Sequence, residues 1–174
     1  MKPIALILAL LVLLFTESSP SMAEQSAPKG VDILASKIPT ANIRITDPKG
    51  QPSGLSAFEG RTIVLNVWAT WCGPCIKELP SLERLSDKLD PSKAMVLLVS
   101  QDKGGVAVAK PFLDRLGIKN LETYGDPSSK LSRDLAIRGL PTTFVISPNG
   151  QIVGRVEGPL EWDAPDMVEF IRHQ

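Results

Sequence analysis

The chain has 174 residues, 43% of them hydrophobic and 22% charged, which suits one domain with a proper apolar core. Its 19 Lys and Arg balance 19 Asp and Glu, so it lacks the concentrated positive charge that nucleic acid or an anionic membrane surface requires, and both are excluded as the main partner. No internal repeat or low-complexity tract is present.

Residues 1–23 read as a secretory signal peptide. Lys2 supplies a short positive start, Ile4 to Phe15 an unbroken apolar core, and Ser21-Met22-Ala23 a small-x-small cleavage site. That core is 12 residues long, short of the ~20 of a spanning helix; an uncleaved leader kept as a membrane anchor is the alternative. No cysteine lies near the cleavage site, which rules out a lipid anchor there. Removing the leader takes away Lys2 and Glu17 and leaves the charge balanced.

Residues 24–37 are polar, with Pro28 and Gly30, and read as a flexible lead-in; residues 38–174 read as one domain. Ala41 to Thr46 alternates as a strand, and Asp47-Pro48-Lys49-Gly50 is a turn by composition. Leu55 to Phe58 reads as a short helical turn before Gly60. Thr62 to Trp68 is then a buried strand, carrying Ile63, Val64, Leu65 and Val67. Leu79, Leu82, Leu85 and Leu89 recur at helical spacing, so a helix starts at or just after Cys72.

Ala94 to Ser100 is a second buried strand, parallel to the first. Val106 to Leu116 is helical by pattern and ended by Gly117, with Pro111 a potential break in its first turn. Leu121 to Tyr124 reads as extended, and Ser128 to Ile137 as a helix with Leu131, Leu135 and Ala136 on its apolar side. Arg138 to Ile146 leads into a last hairpin, turned at Asn149-Gly150 and returning from Gln151 to Val156. Asp163 is placed to cap a final helix that has Pro165 in its first turn. The resulting order, β-β-α-β-α-β-α-β-β-α, is an α/β fold with a central mixed sheet.

Both cysteines of the chain, Cys72 and Cys75, fall at one strand-to-helix junction. A sulfur at a helix N-terminus meets unpaired N–H groups and the positive end of the helix dipole, which favour the thiolate. Cys72 is therefore the expected attacking thiol, and Cys75, one turn into the helix, the buried resolving thiol of a disulfide exchange. A static structural disulfide is the bland reading, and so short a loop favours it poorly. Zinc needs about four ligands, and His173 is the sole histidine; two thiolates holding Cu(I) stay open as an alternative. A peroxidatic cysteine would need Pro and Thr where Leu65 and Ala69 stand.

The string Val64-Leu65-Asn66-Val67-Trp68-Ala69-Thr70-Trp71-Cys72-Gly73-Pro74-Cys75-Ile76-Lys77-Glu78-Leu79-Pro80 resembles the thioredoxin superfamily, and its exported TlpA/ResA-like branch more than cytosolic thioredoxin. The resemblance covers residues 38 to 174. It implies a thioredoxin-like fold with a central mixed β-sheet flanked by helices, an N-terminal β extension and a central β-α insert between Gln101 and Tyr124. Asn66 stands where thioredoxin carries a buried aspartate, and the resemblance moves the acid/base role to Glu78, which tops the leucine stripe. A carboxyl half-buried beside two sulfurs has a raised pKa and can shuttle a thiol proton; the bland reading is a solvated helix glutamate next to Lys77.

By the same resemblance Pro141, in Gly139-Leu140-Pro141-Thr142-Thr143, is the candidate for the cis-proline that faces the disulfide in this superfamily. It would expose the Leu140 backbone for strand-like bonds to a client; a trans proline at an edge strand is the alternative. Trp71, Gly73 and Pro74 complete the expected client-binding surface. Trp68 is read as packing and Pro80 as a helix kink. Gly158 to Trp162 resembles a stretch of α-proteobacterial TlpA proteins and receives no chemistry.

The resemblance thus implies a monomeric periplasmic protein-disulfide reductase, with no metal and no cofactor beyond the Cys72–Cys75 pair. Its electrons would come from a membrane thiol-transfer protein, and its clients would carry disulfides or Cys-x-x-(x)-Cys sites in cytochrome c maturation or cytochrome oxidase copper-site assembly. Gly-Pro is the dipeptide of thioredoxin, reducing at about −270 mV. A Cu(I)-handling protein and a disulfide-forming oxidase are the alternatives.

Overall fold

A strand paired on both edges and covered on both faces is expected to be largely apolar, and Thr62–Trp68 fits, every one of its residues being buried and only Thr62 and Asn66 polar. The computed structural model, which describes residues 27–40 and 42–174, sets this strand in a series of elements that runs β1 (Asp32–Pro39), β2 (Arg44–Thr46), β3 (Pro52–Gly54), a 3₁₀ turn (Leu55–Phe58), β4 (Thr62–Trp68), α1 (Gly73–Lys88), β5 (Ala94–Ser100), α2 (Val106–Leu116), β6 (Thr123–Gly125), α3 (Lys130–Asp134), β7 (Thr142–Ile146), β8 (Gln151–Glu157) and α4 (Pro165–Arg172). The strands form one mixed sheet in the order β1-β8-β7-β4-β5-β6-β2-β3. β4 lies parallel to β5, with Trp68 opposite Ser100, and antiparallel to β7, with Val67 opposite Thr142.

Alternation along the strands divides the core in two. Val64, Trp68, Val96 and Leu98 pack with Leu79, Leu82 and Leu85 of α1 and with Ile171 of α4. Ile63, Leu65, Val67, Leu97 and Val99 face the other way, toward Leu55, Phe58, Leu131 and Phe144. The same pleat turns Asn66 to the α1 side, between Val64 and Trp68.

The fold agrees with the thioredoxin-like α/β architecture, and several boundaries correct the sequence reading. The expected lead-in over 24–37 is a strand from Asp32, pairing antiparallel with β8 through Asp32 opposite Arg155 and Ile38 opposite Ile152. Main-chain bonds to an open sheet edge need no alternating pattern, and Ile33 stays 54% exposed. The leader expected over 1–23 lies outside the described residues. β2 begins at Arg44 rather than Ala41, and β3 is an unforeseen edge strand that pairs with it across the Asp47–Gly50 turn; Pro52, which donates no hydrogen bond, is tolerated there. The extended segment expected at Leu121–Tyr124 pairs from Thr123 to Gly125. α2 runs through Pro111 without ending.

Two further differences have local causes. α3 spans Lys130–Asp134 rather than Ser128 to Ile137. Its end is a Schellman motif, with Ile137 N–H donating to Ser132 C=O at 2.9 Å and Ala136 N–H to Arg133 C=O at 3.2 Å. Ala136 takes the left-handed position at φ 48°, where glycine is usual, so composition carries no stop signal. Asp163 does not cap α4; Ala164 holds that place without a side-chain bond. Arg84 Nε (2.8 Å) and Lys88 Nζ (3.4 Å) claim the Asp163 carboxylate instead. The Arg84 hydrogen bond leads in holding its pKa down at about 2.

Left-handed backbone costs a residue bearing a Cβ about 1–2 kcal/mol, and the entropy glycine loses on folding offsets part of any relief. Ala136→Gly is expected to raise the unfolding free energy by up to about 1 kcal/mol, read as a higher urea midpoint at unchanged slope.

Candidate active site

The chain leaves β4 at Trp68 and must turn within four residues to begin α1. Asp102, buried at the end of β5, fixes that turn: Thr70 donates to its carboxylate from the backbone N–H at 3.0 Å and from Oγ1 at 2.6 Å, and Ser100 Oγ donates at 2.7 Å. Gln101 N–H donates to Trp68 C=O at 2.9 Å, and Cys72 N–H to Ala69 C=O at 3.1 Å. With Thr70 held inward, Trp71 projects outward and is 70% exposed.

Cys72 is the N-cap of α1, and its sulfur accepts the Cys75 N–H at 3.2 Å. Gly73 and Pro74 are the first helical residues, a place where proline loses no hydrogen bond. Cys72 and Cys75 are joined as a disulfide. Cys72 shows 5% of its surface and Cys75 none, so the first sulfur is the reachable one. That sulfur opens on a groove of about 500 Å³ whose walls include Trp71, Gly73, Pro74, Gln101, Arg138 and Leu140. The Leu140–Pro141 peptide bond is cis. Pro141 is buried, and its carbonyl accepts the Gly158 N–H at 2.9 Å. Trp71, Gly73, Pro74 and Leu140, expected from sequence to bind a client, thus come together around Cys72, while Pro141 follows Leu140 in the chain and is not among the groove's walls.

Glu78 lies one turn beyond Cys75 and is 2% exposed, so it is not the solvated glutamate of the bland reading. Asn66 Nδ2 of β4 donates to its Oε1 at 2.7 Å, while Oε2 accepts Trp162 Nε1 at 3.1 Å and Leu160 N–H at 3.2 Å. Asn66 Nδ2 also donates to Thr143 Oγ1 at 2.8 Å. Burial pushes the Glu78 carboxyl up to about 6, and the bonds from Trp162, Asn66 and Leu160 limit the rise.

Three of these residues escaped the sequence reading. Asp102 carries the signal of a lone acid just past a buried strand, too common to single out. Trp162 and Leu160 lie in a stretch with no strand or helix pattern. The one available hint is that a buried indole N–H needs an acceptor.

Residues 33–171 match the family model Redoxin. The chain is 31% identical over 117 residues to the thiol-disulfide oxidoreductase ResA of Bacillus anthracis; the match covers 67% of this chain and 66% of that protein, just under two thirds of its length. ResA of Halalkalibacterium halodurans is 30% identical over 132 residues, covering 75% of this chain and 74% of that one. The structure of the pneumococcal exposed lipoprotein thioredoxin of Streptococcus pneumoniae superposes with a TM-score of 0.63 at 27% identity, covering 80% of this chain and 100% of that chain.

Burial of Glu78 has a measurable consequence for stability. Its carboxyl moves from the ordinary 4.5 to about 6 on folding, so the folded chain holds this proton more tightly than the unfolded chain. Its contribution is most favourable below the lower value and is lost as pH rises through that window, a cost of about 2 kcal/mol once complete. Glu78→Gln is expected to match the parent protein in acid and to exceed its unfolding free energy by up to about 2 kcal/mol at neutral pH. Urea unfolding of the two oxidised proteins across the window measures the difference; a constant gap would contradict the assignment.

Proposed function

The chain belongs to the redoxin family and is a ResA-like member of the thioredoxin superfamily; from that premise we propose that it is an exported thiol:disulfide oxidoreductase that reduces disulfides in protein clients. The observation that carries this reading is the Cys72–Cys75 disulfide at the N-terminus of α1, with Cys72 on a groove and Cys75 fully buried one helical turn before the buried Glu78.

The reaction begins from the dithiol. Cys72, as the thiolate favoured by the helix N-terminus, attacks one sulfur of the client disulfide, whose other sulfur leaves as a thiolate. Cys75 then gives its proton to the Glu78 carboxylate and attacks Cys72 Sγ. The bond to the client breaks, the two client thiolates take one proton back from Glu78 and one from solvent and leave as a dithiol, and the enzyme is left as the Cys72–Cys75 disulfide. Two electrons pass to the client, and a membrane thiol-transfer protein returns them. The pair serves as the redox group without a further cofactor.

Trp71, Gly73, Pro74 and the Leu140–Pro141 segment form the surface on which the client docks. Among the described residues no hydrogen bond engages the Leu140 N–H or C=O, which leaves both free to meet an extended client chain. The sequence of residues 1–23 supports action in the periplasm, and the pneumococcal relative is by name an exposed lipoprotein. The clients we favour are the cysteine pairs of apocytochrome c or of copper sites in cytochrome oxidase.

Cys75→Ser is expected to accumulate a mixed disulfide through Cys72 when mixed with an oxidised client, and Cys72→Ser to form none, as read by non-reducing electrophoresis and mass spectrometry. The reduction potential of the pair, titrated in a dithiothreitol buffer with Trp71 fluorescence and thiol trapping as readouts, is expected near the −270 mV of thioredoxin. A value near −120 mV would make the protein an oxidant and reverse the proposed electron flow.

A further inference from the structure

Glu78 owes its setting to a segment its own helix does not contain. Between β8 and α4 the chain crosses the outside of α1, from Gly158 to Asp163, and is bonded to it along the way. Gly158 N–H is tied to Pro141 C=O at 2.9 Å. Leu160 N–H and Trp162 Nε1 both land on Glu78 Oε2. Trp162 N–H donates to Ser81 Oγ at 3.2 Å, and Asp163 meets Arg84 and Lys88. Trp162 is fully buried, so its indole is committed to this contact rather than sampling it.

We propose that residues 158–163 are a strap that closes the proton-handling carboxyl off from water, and that Trp162 is a positioning residue which holds Glu78 in a single orientation for exchange. This rests on the reading of Glu78 as the acceptor of the Cys75 proton. Both donors on Oε2 are N–H groups that cannot accept, so an arriving proton has no partner there. On the other oxygen the donor is Asn66, an amide that can turn, and its Oδ1 is buried with no partner among the described residues. The strap therefore directs protonation to Oε1, where a turned Asn66 accepts the new O–H.

Other charges do not account for the setting. β4 presents Asn66 to the carboxyl and the strap presents Trp162 and the Leu160 N–H, none of them charged, while β7 adds Thr143 behind Asn66. Glu161 and Asp163 of the strap face Arg84 instead. On α1 itself Cys72 and Cys75 are joined as a disulfide and do not titrate, and Lys77 is exposed.

Trp162→Phe keeps an aromatic ring and deletes the donor to the ionised form, so the Glu78 carboxyl should titrate about one pH unit higher. The measurement is the ¹³C side-chain carboxyl shift of Glu78 against pH in the oxidised protein, alongside the pH profile of client reduction. The acidic limb of that profile should move up with the titration. Ser81→Ala removes the hydroxyl latch and keeps the indole; it should move the titration the same way by less, and it decides the matter if Trp162→Phe does not fold. A Glu78 titration left in place overturns the proposal, whatever happens to the rate. If Glu78→Gln retains the parent pH profile, the catalytic reading of Glu78 falls, and the titration alone then judges the strap.

Discussion

The site depends on the register of β4 with its two neighbours. Trp68 opposite Ser100 and Val67 opposite Thr142 bring the ends of three elements level: the carboxyl ends of β4 and β5, and the start of β7. From these ends leave the loop that carries Trp71 and Cys72, the Gln101-Asp102 corner, and the Leu140–Pro141 segment. A slip of one residue would turn Asn66 away from α1 and leave a buried amide in the opposite core. With apolar surface packed on both faces of β4, the bonds of Asn66 to Glu78 and Thr143 are what that slip would forfeit. The rigid part of the fold thus sets where Cys72 lies relative to the Leu140–Pro141 segment, the surface proposed to receive a client.

Electrostatics differ sharply over the first two turns of α1. At the N-terminus the Cys72 sulfur already accepts a main-chain N–H, and the positive end of the helix dipole favours negative charge there. One turn past Cys75 burial works the other way, and only three N–H donors keep the Glu78 carboxyl from a larger rise. A group poised near 6 is mostly ionised at neutral pH yet close enough to a thiol in proton affinity to exchange with it. The helix favours an anion at its N-cap, Cys72, and a movable proton at its sixth residue, Glu78, as the proposed exchange by an attacking and a resolving thiol requires.

Much of this was legible in the sequence, for reasons that can be traced to particular residues. Thr62–Trp68 and Ala94–Ser100 read correctly to the residue because strands buried on both faces leave continuous apolar runs. Val106–Leu116 ended where Gly117 stands. The cysteine pair declared its own geometry, since a strand before it and a leucine stripe after it leave one place for a helix to begin. What stayed hidden was held by contacts distant in the chain. β1 exists because the β8 edge lay open, and α3 stops at an alanine in a glycine's conformation. Asp163 looked like a cap because a cap needs only local sequence, whereas the two cations that claim it lie some 75–79 positions away.

Glu78 shows how such distant contacts and function meet. In a stripe otherwise made of Leu82, Leu85 and Leu89, a glutamate breaks the pattern that builds the core, and its burial works against folding at neutral pH. A residue of that kind persists only where surrounding structure supplies partners, and here two separate parts of the chain do so, Asn66 of β4 and the Gly158–Asp163 segment. The segment Gly158–Asp163 contributes two of the three donors to its carboxylate, although no periodicity or cap marks it. Local sequence rules fail at the same place twice, once in an acid set among leucines and once in an unpatterned segment that crosses it. The two departures are halves of one contact, and neither is stable without the other: the carboxylate would lie buried without its donors, and the indole N–H without its acceptor.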